Sequence, residues 1–262
     1  MIYQSEKMEY IDTHSHLYDE AFEGEEDAAI ERSVKAGVHK IIFPDIDSET
    51  RDKMFNLAAR HEGVVYPGLG LHPTSVNKDW EKELSKIESY FNHKIWAIGE
   101  IGMDLYWSKE FLEEQKRAFR EQIRLASKMD LPIIIHSREA TKPILDILAE
   151  EKHLGLKGVF HAFSGSIETY NEIQKYGNWY IGIGGVVTFK KASIGETIKD
   201  IPLERIILET DSPYLTPVPK RGSRNESSYI PYIAQKISSI KELPIEMIAE
   251  TTTLNASNLF KI

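Results

Sequence analysis

The sequence predicts an α/β protein folded as a single (β/α)8 TIM barrel over residues 1–262. Its length suits one barrel, since barrels of this class run to about 250 residues as one unit. Short β-branched or aromatic runs alternate with longer stretches of helical period, the signature of parallel strands joined by crossover helices. Neither a G-x-G-x-x-G nor a Walker pattern follows the first run, which disfavours the rival architecture, an open doubly wound sheet.

The strand candidates, in order, are Tyr10–His14, Lys40–Pro44, Val64–Gly70, Ile95–Glu100, Pro132–His136, Gly158–His161, Trp179–Ile183 and Arg205–Glu209. Between the first two, Ile30 and Val34 mark a helix face, and Gly37 is its stop signal. Phe111, Phe119, Ile123 and Ala126 recur at helical spacing in the long segment from Lys109 to Met129. The Pro- and Gly-containing stretch from Ser212 to Glu226 reads as a long loop after the last strand, not a domain boundary. Ile230, Ile233, Ala234, Ile237 and Ile240, and later Ile248, carry the closing helices.

Composition limits the function classes. Hydrophobic residues make up 41% and charged residues 28%, so the chain has ordinary globular content. Lys and Arg number 32 against 41 Asp and Glu, a net charge of −9 that excludes coating nucleic acid or anionic membrane by bulk attraction. A local positive site is still compatible with a nucleic-acid substrate. The absence of cysteine excludes disulfides, thiolate zinc sites and a cysteine nucleophile. Met1 to Tyr10 has no apolar leader pattern and no apolar run approaches the ~18 residues of a membrane span. The expectation is a cytoplasmic protein with no membrane association and no obligate protein partner.

The chemistry gathers where the predicted strands end: Asp12-Thr13-His14-Ser15-His16, Gly99-Glu100, Ile135-His136, Phe160-His161 and Glu209-Thr210-Asp211. Active sites of such barrels are built at the C-terminal rim from several strands, so His14, His16, Glu100, His136, His161 and Asp211 should converge there. His14 and His16, two apart on extended backbone, should point the same way. Buried imidazoles and carboxylates gathered without a cation would be costly, which favours a metal site over coincidence. Six N/O donors exceed one tetrahedral ion and suit two ions sharing a bridging carboxylate. Two divalent cations outweigh the carboxylates of Glu100 and Asp211 by about two charges, so an anionic substrate is admissible. His39, His61, His93 and His153 lie at helix ends, joints or polar stretches and are expected to be structural.

Asp12-Thr13-His14-Ser15-His16-Leu17, Gly99-Glu100-Ile101-Gly102-Met103-Asp104, Ile135-His136-Ser137-Arg138, His161-Ala162-Phe163-Ser164-Gly165 and Glu209-Thr210-Asp211-Ser212-Pro213-Tyr214-Leu215 resemble, in order, the signature blocks of the TatD-related metal-dependent DNases of the amidohydrolase superfamily. The resemblance covers the chain from about Tyr10 onward. It implies the same six metal ligands, with Glu100 bridging two ions. Gly70-Leu71-His72-Pro73 is similar to a further family block and makes His72 a candidate for substrate contact or proton donation. Pro219 to Glu226 resembles the family's Arg-Gly…Asn-Glu stretch, bringing in Arg221 and Asn225. The chain departs from the pattern at Ser227, where a proline is usual, and at Phe43-Pro44-Asp45, where Pro-Gly is more usual. Both positions are expected on loops that shape the substrate pocket.

The resemblance implies a deoxyribonuclease cleaving phosphodiesters, exonucleolytically on single-stranded ends, with Asp211 and Glu100 catalytic and a metal-activated water as attacking group. Arg138, Arg221, Arg224, Lys190 and Lys191 are candidates for phosphate contacts, and Tyr106, Trp107, Phe163 and Tyr214 for base stacking. Four imidazoles favour zinc or manganese, whereas the family's nuclease activity implies magnesium, so the expected cofactors are two divalent ions of one of these kinds. The rival readings are a small-molecule hydrolase acting on an amide, lactone or small phosphoester with the same ligands, and a metal-dependent binding module without turnover.

Overall fold

Eight parallel strands form in the computed structural model, which describes residues 8–262; residues 1–7 of the unit expected over 1–262 lie outside the described residues. They are β1 (Tyr10–Asp12), β2 (Val38–Phe43), β3 (Val65–Pro67), β4 (Ile98–Asp104), β5 (Ile133–Arg138), β6 (Lys157–Phe160), β7 (Asn178–Ile183) and β8 (Ile206–Leu208). The main crossovers are the helices α1 (Glu26–Lys35), α2 (Arg51–Arg60), α3 (Trp80–Ser85), α4 (Leu112–Met129), α5 (Thr141–Glu150), α6 (Ile167–Ile173) and α7 (Ile194–Asp200). After β8 come α8 (Ile230–Lys241) and α9 (Ile245–Phe260). All eight predicted runs are strands, with shifted ends.

β1-β2-β3 and β4-β5-β6-β7-β8 pair continuously, and backbone hydrogen bonds bridge both seams. Leu69 N–H donates to Ala97 O and Gly99 N–H to Leu69 O, each at 3.0 Å, while Thr13 N–H donates to Leu208 O at 3.0 Å. With a parallel Leu69–Ile98 bridge as well, the strands close into a (β/α)8 barrel rather than an open sheet.

Strand residues alternate between two apolar layers, as a side-chain period of two requires. Ile11, Ile42, Ala97, Ile134, Val159 and Ile207 fill the barrel and meet Ala256, Leu259 and Phe260 of α9. Tyr10, Ile41, Phe43, Ile133, Ile135, Phe160, Ile206 and Leu208 face the helical layer instead. α4 buries Ala118, Phe119, Gln122, Ile123 and Ala126 along one stripe, and Asp130 closes it in the left-handed region. Among the described residues no helix is long and apolar enough to cross a membrane.

Candidate metal centre

The fourth strand does not end at Glu100, as its apolar pattern implied; β4 runs on to Asp104, and Glu100 sits within it. A register shift between Ile98 and Ile101 breaks the strand's regular alternation around Glu100. The flanking glycines permit this. A Cβ on Gly99 would lie 2.6 Å from Ile134 Cβ, and one on Gly102, at φ +140°, would lie 2.0 Å from His136 O. The first strand likewise ends early, at Asp12. His14 and His16 therefore converge through the loop beyond it, held by hydrogen bonds from Ser15 N–H to Ile42 O at 3.1 Å and from His16 N–H to Ser212 O at 2.9 Å.

The six expected donors meet around Glu100. Its Oε2 lies 3.1 Å from His14 Nε2 and 3.7 Å from His16 Nε2, and its Oε1 lies 2.7 Å from His161 Nε2 and 2.8 Å from His136 Nδ1. Asp211 Oδ1 completes the first side, 3.7 Å from His14 Nε2 and 3.8 Å from His16 Nε2. The ring nitrogens crowd one another, at 3.1 Å for His14–His16 and 3.2 Å for His136–His161. Donors at 2.0–2.1 Å from a tetrahedral ion are about 3.3 Å apart, so these separations fit nitrogens facing a shared cation. His14, His16 and Asp211 form one compact donor group and His14, Glu100 and His161 another; a third unites His72, Glu100 and His136.

Groups behind the donors select the tautomers. His136 Nε2 lies 2.9 Å from Asp104 Oδ2, so its proton goes to that carboxylate and Nδ1 offers its lone pair to the centre. His16 Nδ1 lies 2.8 Å from Tyr18 Oη, whose own proton goes to Pro44 O, leaving Nε2 free to ligate. His14 and His161 have unpartnered Nδ1 atoms and instead stack face to face, their centroids 3.9 Å apart. Glu209, buried at the end of β8, sits 3.9 Å from His161 Nδ1 and accepts from Ala162 N–H at 2.6 Å.

The electrostatics follow. Burial alone would raise Glu100, but His161, His14 and His72 around it hold its carboxyl well below the usual range. Burial would lower His161, yet the Glu100 carboxylate overrides it and lifts the ring to about 10. Burial pushes Asp211 up to about 7, against the pull of His161. Burial lowers His14 to about 4, with His161 adding to the effect. Carboxylate and imidazole donors so close together in a buried cluster form a site suited to divalent cations.

His72 also faces the cluster. Its Nε2 is 3.3 Å from Glu100 Oε1 and from His136 Nδ1. Thr74 meets Nδ1 with both its N–H, at 3.2 Å, and its hydroxyl, at 2.6 Å; with Nδ1 accepting from them the neutral ring carries its proton on Nε2, towards Glu100. Asp12 is buried beneath the centre, accepting from Thr210 Oγ1 at 2.6 Å and from His14 N–H at 3.2 Å.

The remaining expectations divide. Arg138 is exposed at the end of β5, its guanidinium 3.8 Å from the Tyr106 ring centroid. Arg221 is exposed over Phe189 beside a hollow of about 260 Å³, and Lys190 and Lys191 are exposed. Asn225, expected to contact substrate, is fully buried, and its Nδ2 donates to Thr210 O at 2.8 Å and Tyr214 O at 2.6 Å, stapling the long loop. Arg224 is committed to Glu25 at 2.8 Å, and Phe163 is buried in the core. Both departures from the family pattern fall on buried residues. Ser227 is buried and donates to Ser15 Oγ at 3.1 Å. Asp45 is buried against Arg51 at 2.6 Å and accepts from Gly70 N–H at 3.1 Å; its carbonyl takes the Glu100 N–H at 3.0 Å. Asp45 thus braces the backbone of Glu100. His61 pairs with Asp27 and His93 packs on Phe55, away from the centre.

Sequence reasoning assigned no role to Asp104, Glu209 or Tyr18. A signal existed for each: Asp104 closes the glycine-flanked block four residues after Glu100, Glu209 precedes Thr210-Asp211, and Tyr18 follows His16 by two.

The family model of TatD-related DNases matches residues 11–261. An uncharacterized metal-dependent hydrolase of Bacillus subtilis, YabD, is 41% identical, covering 96% of this chain and 98% of the relative. The crystal structure of YjjV, a TatD homologue from Escherichia coli, superposes with a TM-score of 0.87 at 30% identity, covering 97% of this chain and 98% of that one. A TatD-family hydrolase from Entamoeba histolytica gives 0.83 at 26% identity, again covering 97% and 98%. With its barrel, its histidine–carboxylate centre and a match spanning nearly its whole length, the chain belongs to the TatD-related family of metal-dependent hydrolases.

Proposed function

We propose that the chain is a deoxyribonuclease that hydrolyses phosphodiester bonds at single-stranded DNA ends with two divalent ions. The observation that carries this reading is the split of Glu100, whose Oε2 faces His14 and His16 while its Oε1 faces His136 and His161. One carboxylate between two donor groups fits a two-ion centre, with His14, His16, Asp211 and Glu100 for one ion and His136, His161 and Glu100 for the other. Zinc, manganese and magnesium are the candidates, imidazole favouring the first two. Divalent ions, when bound, supply Lewis acidity, making water more acidic and stabilising charge on the phosphoryl oxygens.

The chain's own groups do the rest. Asp211, whose Oδ1 lies 3.7 Å from His14 Nε2 at the mouth of the centre, takes the proton from the attacking water. His72, with its proton on Nε2, donates to the leaving oxygen. Arg138, Arg221 and the exposed Lys190 and Lys191 hold phosphates at the rim.

The small-molecule reading gains from one observation: Arg224, which made the loop after β8 look basic, is spent on Glu25. Hydrolysis of an end-labelled single-stranded oligonucleotide with magnesium, manganese or zinc, against a chelator control, decides between the two. The expected result is a metal-dependent ladder, abolished in Asp211→Asn and weakening steeply with salt. A metal-loaded protein that leaves DNA intact yet turns over small esters or amides would transfer the assignment to the second reading.

A further inference from the structure

Two aromatic rings stand in solvent where β4 leaves the barrel. Trp107 is 70% exposed and Tyr106 50%, meeting edge to face with centroids 4.9 Å apart. Large apolar rings left in water are informative, because burial would stabilise them. These two are anchored. Asp104, the carboxylate that orients His136, accepts from Tyr106 N–H at 3.0 Å and Trp107 N–H at 3.4 Å. Arg138 lies opposite Asp104 in the β4–β5 ladder, and its carbonyl takes the Leu105 N–H at 2.9 Å. Its guanidinium covers Tyr106 at 3.8 Å and Trp107 at 5.2 Å. A carboxylate shared with the metal centre thus fixes the loop that carries two rings and faces a guanidinium.

Flat apolar faces beside a fixed cation match a nucleotide, whose base stacks and whose phosphate pairs. A base inside a duplex has both faces covered, so only an unpaired base can use the platform. We propose that Trp107, Tyr106 and Arg138 form a subsite that stacks the unpaired base adjoining the scissile phosphate and holds its outer phosphate. This would make single-strandedness a requirement read by the rim rather than by the metals. The proposal rests on the nuclease reading, which fails separately in the test below.

Cleavage of a single-stranded oligonucleotide is compared with cleavage of the same strand carrying an abasic residue beside the scissile position, in the natural protein and in Trp107→Ala. Removing the base should raise KM about 10-fold in the natural protein and much less in the variant, because the partner ring is gone. Trp107→Tyr, which keeps a ring, should restore most of the base dependence. An equal abasic penalty in the natural protein and Trp107→Ala overturns the subsite and leaves the nuclease reading standing. Binding is followed independently by tryptophan fluorescence of the metal-loaded protein, with a phosphorothioate oligothymidylate that resists turnover. Trp80 and Trp179 are buried, and Trp96 is half-buried against Tyr66 and Lys94 ahead of β4, at the other end of the strand, so Trp107 should dominate the quench, and Trp107→Ala should lose it. Quench without cleavage upholds the stacking site and defeats the nuclease reading; absence of quench overturns the subsite.

Discussion

At the N-terminal end of the barrel, Ile134, Val159 and Ile207 meet Leu259 and Phe260 of α9 in an apolar layer. Two residues further along the same strands, or just beyond them, stand His136, His161 and Glu209. The backbone scaffold is shared, and only the side chains that a period of two turns inward differ. The first layer needs nothing but shape and is filled by the chain itself. The second leaves His14 Nδ1, His161 Nδ1 and Glu209 Oε2 buried without partners, which an apolar end would not tolerate. One end therefore holds the barrel shut and the other spends stability on chemistry, a division that substitutions at each end can break.

The largest effect is expected at the bridge. Glu100→Ala should remove hydrolysis by about 10³-fold or more, since several kcal/mol of charge stabilisation go with the donor groups. Metal content of the purified variant should fall at both positions; a variant that keeps two ions would refute the bridging assignment. At the opposite end, Phe260→Ala should cost about 3–5 kcal/mol of stability in denaturant titration, with metal uptake per folded molecule unchanged. A loss of metal there would mean that the ends are coupled.

Smaller effects should sharpen the contrast. Asp104→Asn leaves the donors in place but releases the His136 ring, so metal affinity or activity should drop by about 10- to 100-fold in a competition titration. The gentlest probe is pH. With His161 lifted to about 10 in the metal-free centre, the ring carries a proton at pH 7 and must lose it to ligate. Metal uptake should therefore release protons, and affinity should weaken about tenfold per pH unit per proton as pH falls. Calorimetry in buffers of different ionisation enthalpy measures the release, and uptake without it would contradict the charge assignment.

The strands were legible because Ile133-Ile134-Ile135 and Ile206-Ile207-Leu208 are β-branched or apolar runs bounded by polar segments. The end of β4 was not: Gly99, Glu100 and Gly102 interrupt the apolar pattern where the strand in fact continues through a register shift. Asn225 and Arg224 illustrate a second limit. A polar side chain in a loop looks the same in sequence whether it reaches a substrate or, as here, the backbone of its own loop or a neighbouring carboxylate. Asp45 and Ser227, read in sequence only as departures on pocket loops, brace buried backbone and hydroxyl groups, which loop position alone does not reveal.

The sequence by itself determined the alternation of strands and helices, the apolar layers and the identity of the metal-type donors, because periodicity and residue chemistry are local. Only the tertiary structure decided which oxygen of Glu100 faces which histidines, which ring nitrogen is free, and that Asp12 meets Thr210 across 198 residues of chain. Those outcomes depend on the closure of β1 against β8 and on strand register, which no local pattern encodes.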